Sequence, residues 1–155
     1  MDDRLQELFD RNEITDLISR QGRWLDEGVT GDGRDLFTED AVAETPGGLV
    51  QGVHRLVAQA RHNHTEDTRT QHSITDVLIE RDGDRASVRA NLRVAFAPLT
   101  GPDGPRFMGG VYRWEVVRTP QGWRFAKVQA TPVWRHGDWN ESNLPSAVRA
   151  TAPAA

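Results

Sequence analysis

Ala86-Ser87-Val88-Arg89-Ala90-Asn91-Leu92-Arg93-Val94-Ala95-Phe96 sets Ala86, Val88, Ala90, Leu92, Val94 and Phe96 against Ser87, Arg89, Asn91 and Arg93. A period of two with one apolar face is the mark of a half-buried strand. Just before it, Arg81-Asp82-Gly83-Asp84 is a hairpin turn of the Asp-Gly kind. Ile74 to Ile79 supplies the preceding strand, in a run that opens at Thr70. Downstream, Thr100-Gly101-Pro102-Asp103-Gly104-Pro105 is a loop and Met108 to Arg118 the next strand, where Gly109-Gly110 suggests a bulge or a close backbone approach. Pro120-Gln121-Gly122 then turns into a last strand, Trp123 to about Trp134. The second half of the chain therefore reads as a four-stranded antiparallel meander.

Upstream of Thr70 the period is helical. Leu5, Leu8, Phe9, Leu17, Ile18 and Leu25 recur at three- and four-residue steps, which predicts an amphipathic helix that stops at Gly28, with an interruption near Asn12. Arg34 to Phe37 reads as a short helical piece, Ala41 to Glu44 as a strand and Gly47-Gly48 as a turn. Val53, Leu56, Val57 and Ala60 give a further helix, running into His62-Asn63-His64-Thr65-Glu66-Asp67. Helices first and strands after make an α+β chain. The expected architecture is a cone-shaped α+β barrel, with N-terminal helices packed on a curved, mainly antiparallel sheet that encloses an apolar pocket. One domain is expected over 1–137, with a loosely ordered tail over 138–155.

Bulk properties narrow the function. A chain of 155 residues can bury a core of its own. The net charge is −4 and no basic stripe occurs, so nucleic acid is not an expected partner. With no cysteine there is no disulfide, thiolate nucleophile or zinc–thiolate site. No apolar run approaches the roughly 20 residues that span a bilayer, and the charged start Met1-Asp2-Asp3-Arg4 is no signal segment. The expectation is a soluble cytoplasmic protein without membrane attachment.

Two polar residues interrupt the apolar pattern: Asp26 at the end of the first helix and His72 at the opening of a strand. If helix and strand pack together, a carboxylate meets an imidazole in an apolar cavity, the minimum needed to move a proton on a small molecule. His72 is the natural base, and Asp26 would orient its ring and stabilise the imidazolium. Gln21 shares the helix face with Leu17 and Leu25 and must bond inward or line a wet cavity. Gln21, Tyr112 or Gln129 can donate to a substrate oxygen. Strand parity groups His72 and Ile74 with Asp76, and Tyr112 with Trp114 and Val116; Trp24, Asp76 and Trp114 complete the expected binding set. His54, His62 and His64 stand in a polar context without an acidic partner at ligand spacing and read as a solvated face, so no metal is expected. No phosphate-cradling loop or nucleophile elbow occurs, and no cofactor is expected.

Several runs together resemble the SnoaL-like superfamily, whose members share the cone-shaped fold of nuclear transport factor 2. They are Leu25-Asp26, Leu36-Phe37-Thr38-Glu39-Asp40-Ala41-Val42, Gln71-His72-Ser73-Ile74-Thr75-Asp76, Gly109-Gly110-Val111-Tyr112-Arg113-Trp114 and Gly122-Trp123-Arg124-Phe125. The resemblance runs from about Leu5 to Trp134 and is nearest to the branch of scytalone dehydratase, bile-acid 7α-dehydratase and polyketide cyclases. Asp26 and His72 match the aspartate and histidine of the dehydratases, whereas their tyrosine position falls on Gln21. Glutamine can donate a hydrogen bond but is no phenolic acid, which moves the expectation from dehydration toward cyclisation. The resemblance implies a cofactor-independent cyclase, dehydratase or isomerase acting by acid–base chemistry on a hydrophobic, polyketide-like carbonyl compound in natural-product (antibiotic) biosynthesis. Epoxide opening through Asp26 or Asp76 is a near relative, and the resemblance implies a homodimer formed through the open sheet face. The competing reading is a non-catalytic small-molecule-binding or subunit-like module of the same fold.

Overall fold

Asp2 starts the first helix: its carboxylate accepts the Arg4 backbone N–H at 3.0 Å, a capping role that aspartate fills well. In the computed structural model, which describes residues 2–139, helix α1 (Asp3–Asp26) then runs unbroken for 24 residues. The interruption expected near Asn12 is absent. What disturbs the apolar stripe is Asp10, which takes a core position and is paired with Arg118 and Arg81. Ile14, Leu17, Ile18, Gln21, Gly22 and Leu25 continue its buried face. Leu5, Leu8 and Phe9 are exposed, contrary to the sequence reading. At roughly 100° per residue they fall away from the face that Asp10, Ile14 and Leu17 share. Gly28, at φ 109°, ends the helix, and Val29 N–H donates back to Trp24 O at 2.9 Å.

Arg34 to Leu36 form one hydrogen-bonded turn rather than a helical piece, and Phe37 already opens strand β1 (Phe37–Thr45). A tight hairpin through Pro46 and Gly47 leads to β2 (Gly48–Gln51), a strand the sequence reading passed over. Four residues are too few to display a period. Helix α2 (Val53–Asn63) follows, and then β3 (Thr68–Asp82), β4 (Arg85–Pro98), β5 (Arg106–Thr119) and β6 (Gly122–His136) form the expected antiparallel meander. Gly83, at φ 58°, makes the β3–β4 turn. The sheet has six strands in the order β2-β1-β6-β5-β4-β3, because β6 also pairs with β1, in parallel.

Two irregularities matter for the site. At Gly109/Gly110 the ladder shifts by a residue on the β6 side, and a Cβ on Gly109 would overlap the Trp134 ring while one on Gly110 would reach the Thr131 carbonyl. That is the close approach expected of this pair. In β3 the register slips between Thr75 and Leu78, and Asp76 adopts φ 54°. The extra residue is a bulge, and it reverses which parity faces inward.

The concave face of the sheet packs on α1 over a core in which Trp114, Trp123, Phe125, Ile14 and Leu17 are almost fully buried. Among the described residues no helix is long and apolar enough to cross a membrane. Residues 140–155 of the expected tail lie outside the described residues. Trp139 packs on Phe96 at 5.3 Å between ring centres.

Candidate active site

Gly22 faces β3 across the helix–sheet seam: a Cβ there would stand 3.8 Å from both His72 Cβ and Ile74 Cδ1, an ordinary contact. One turn later on the same helix face comes Asp26. Its Oδ1 accepts from His72 Nδ1 at 2.6 Å and from Thr70 Oγ1 at 3.1 Å, and its Oδ2 accepts the His72 backbone N–H at 2.9 Å. Burial alone would push the Asp26 carboxyl up. The ring and backbone hydrogen bonds from His72, the charge of its ring and the Thr70 hydroxyl outweigh that, and the carboxyl titrates below the usual aspartate range. A carboxylate only accepts, so Nδ1 carries the proton, and in the neutral ring Nε2 holds the lone pair. The His72 side chain is 4% exposed against 20% for Asp26.

His72 lines a cavity of about 570 Å³, and Asp26 stands behind the ring. Apolar walls come from Leu25, Phe37, Leu92, Val94, Phe96 and Met108. Gln21 and Tyr112 bring polar groups to it. Trp114 Nε1 donates to Gln21 Oε1 at 2.8 Å. Because an indole N–H can only donate, this bond fixes which end of the amide is oxygen and leaves the Gln21 N–H groups for the cavity. Tyr112 is the one tyrosine of the chain. Burial, with the nearby Asp26 charge, raises its phenol pKa, so the hydroxyl keeps its proton and serves as a donor. Trp24 lines the cavity, with Nε1 bonded to Thr30 O at 2.7 Å and its ring edge-on to Phe37.

Of the expected site residues, the fold thus brings Asp26, His72, Gln21, Trp24 and Tyr112 together. Three others are elsewhere. The β3 bulge turns Asp76 outward, where it accepts from Asn91 Nδ2 at 2.7 Å and Thr75 Oγ1 at 3.1 Å. Gln129 falls between the inward Val128 and Ala130 and bonds Glu44 on the outer side. Trp114 lies in the core behind Gln21, which it orients, and is not a wall of the cavity.

Three residues on the cavity side were missed by the sequence reading. Thr70 is the second inward residue of β3 and bonds Asp26. His64 was expected in a solvated face. It lines the cavity with its ring 5.6 Å from that of His72, while His54 is exposed and His62, also exposed, borders the same cavity. Its Nδ1 donates to Ala60 O at 2.9 Å, leaving Nε2 as an acceptor. Burial foremost, and then the neighbouring His72, push its pKa down to about 4, against the smaller raising effects of Ala60 O and Asp26. Its signal was available, since Leu56, Val57, Ala60 and His64 continue one helical stripe. The third is Arg106, inward by parity with Met108. Among the described residues no group of three His, Asp or Glu side chains is placed to hold a metal ion.

With this geometry in view, comparison gives the family. Residues 6–129 match the SnoaL-like domain. The chain belongs to the SnoaL-like domain family. Solved structures of similar fold include Kfla4162 from Kribbella flavida, 24% identical over 94% of this chain and 99% of that one, with a TM-score of 0.75. An Asp-to-Asn variant of Rv3472, a protein of unknown function from Mycobacterium tuberculosis, is 26% identical over 99% of this chain and 86% of that one, with a TM-score of 0.74. The hexachlorocyclohexane dehydrochlorinase LinA Type2 is 21% identical over 87% of this chain and 93% of that one, with a TM-score of 0.76. A nuclear transport factor 2-like protein from Salmonella enterica is also similar, at 16% identity over 84% of this chain and 96% of that one, with a TM-score of 0.73. This SnoaL-like chain therefore has the cone fold of the nuclear transport factor 2-like superfamily. No curated protein matches it significantly.

Proposed function

We propose that this protein is a cofactor-independent enzyme that cyclises, dehydrates or isomerises a hydrophobic, polyketide-like carbonyl compound, acting in the cytoplasm. One observation carries the reading: the Asp26–His72 hydrogen bond of 2.6 Å, which holds Nδ1 and leaves Nε2 as the ring nitrogen for a ligand in an apolar cavity. His72 Nε2 takes the proton alpha to the carbonyl, and Asp26 stabilises the imidazolium. The carbonyl oxygen gains negative charge as the proton leaves, and the Gln21 amide and Tyr112 hydroxyl are the donors at hand for it. The apolar walls fold the chain of the substrate and keep bulk water from the enolate. A dehydrochlorinase among the fold neighbours is consistent with proton-removing chemistry in such a scaffold.

The test is exchange of α-hydrogens in D₂O, followed by NMR on bulky aryl ketones. Wild-type protein is expected to accelerate exchange, and His72→Ala or Asp26→Asn to slow it by roughly two to four orders of magnitude with the fold intact. Tight binding of the ketones without accelerated exchange would instead assign a binding module.

A further inference from the structure

Arg106 opens β5 on its inward face and is 8% exposed. Its Nε is buried with no hydrogen-bond partner, and the ion pairs found among the described residues do not include it. Among the described residues the Trp139 ring stands 5.4 Å from the guanidinium carbon. A guanidinium cannot shed its proton, and an uncompensated buried charge is strongly destabilising. Arg81 and Arg118 are each matched by Asp10 and a second carboxylate. Asp67 and Asp103 also line the cavity, yet both are exposed and neither pairs with Arg106.

We propose that Arg106 is a carboxylate anchor at the mouth of the cavity, so that the ligand is a hydrophobic acid whose carboxylate sits there. The ring of Trp139 stands beside the guanidinium at cation–π distance, and the planar N–H edge of an arginine matches a carboxylate in a two-bond fork. Gly137, at φ 100°, allows this cover: a Cβ there would come within 3.0 Å of Arg106 Cα and Pro105 O, so the chain passes tightly before Trp139 returns over Phe96. Arg135 flanks the same ring at 5.6 Å and adds positive charge at the rim.

The ladder gives the reach. Thr70, Phe96 and Arg106 form one rung, and His72, Val94 and Met108 another two residues along, with the same inward parity. Two strand spacings and two residues put the backbones of Arg106 and His72 on the order of 12 Å apart. Between them the wall is apolar: Val94, Phe96 and Met108. Calling this ligand the substrate rests on the acid–base reading above, and it then places the reacting carbonyl several bonds from the carboxylate. The binding claim stands without that reading.

Calorimetric titration with 2-naphthylacetate and decanoate, each against its methyl ester, tests the anchor. Wild-type protein is expected to prefer at least one acid over its ester by about tenfold or more. Arg106→Gln should abolish the preference while ester affinity stays within about threefold, and Arg106→Lys should keep part of it, having the charge but not the fork. Equal affinity of wild type for acids and esters, or an undiminished preference in Arg106→Gln, would overturn the proposal. Should the glutamine variant not fold, the wild-type preference and the lysine variant decide alone. A retained acid preference with no α-hydrogen exchange would leave the anchor standing and remove the acid–base reading. Exchange without acid preference would do the reverse.

Discussion

An aspartate at the C-terminal end of a helix opposes the helix dipole. Asp26 is held there by three hydrogen bonds that all come from β3. That mismatch with its own helix is what made Asp26 legible in the sequence, as a polar residue at the opening of an alternating strand made His72 legible. His64 and Arg106 are equally open to period and parity, but polar neighbours mask the stripe at His64 and the loop that ends at Pro105 hides the parity of Arg106. His64 carries a prediction. Its folded pKa lies near 4 against an ordinary value of 6.5, so between those values the unfolded chain binds a proton that the folded one refuses. Stability therefore falls as pH drops through 6.5 and levels off below about 4. The loss at pH 5 is on the order of 2 kcal/mol. In urea titrations at pH 7 and pH 5, His64→Phe should show a smaller drop between the two than wild type; an equal drop would remove His64 as the cause.

At the scale of elements, α1 and β3 cooperate through one small residue. The space at Gly22 accepts a methyl group in ordinary contact. Gly22→Ala should change stability by about 1 kcal/mol or less. Gly22→Leu should cost roughly 1–3 kcal/mol and separate Asp26 from His72. Thermal unfolding together with the His72 ring NMR shift would check this, and an unchanged shift in the leucine variant would show that the helix does not set the pair. The strands were legible from their alternation, but the bulge at Asp76 was not. Nothing in Thr75-Asp76-Val77 marks an extra residue, and a one-residue slip inverts every later side chain. Unbroken alternation therefore places Asp76 inward, while β2 and the β1–β6 pairing lack a local pattern to read.

Across the whole molecule the two ends differ in kind. At one end Asp10, fully buried, ties α1 to Arg118 of β5 and Arg81 of β3 and accepts from Trp123 Nε1. The cavity occupies the other end, roughly 24 Å farther along the same helix. Asp10→Ala should destabilise the fold by roughly 3–5 kcal/mol while the folded protein keeps its ligand affinity, as urea unfolding and calorimetry would show. Weakened ligand binding at full stability would contradict this division. The parallel pairing of Phe37 with Phe125 and of Ala43 with Val128 joins the first strand to the last. During synthesis on the ribosome, β1 must wait with an unsatisfied edge until nearly all of the domain has emerged. A force-sensing arrest peptide fused behind progressively longer chains should report pulling only once β6 is free of the exit tunnel, and an earlier signal would mean that α1 and the β3–β5 strands fold ahead of it. The same seam leaves the β6-facing edge of β1 open to holdase chaperones for almost the whole of translation.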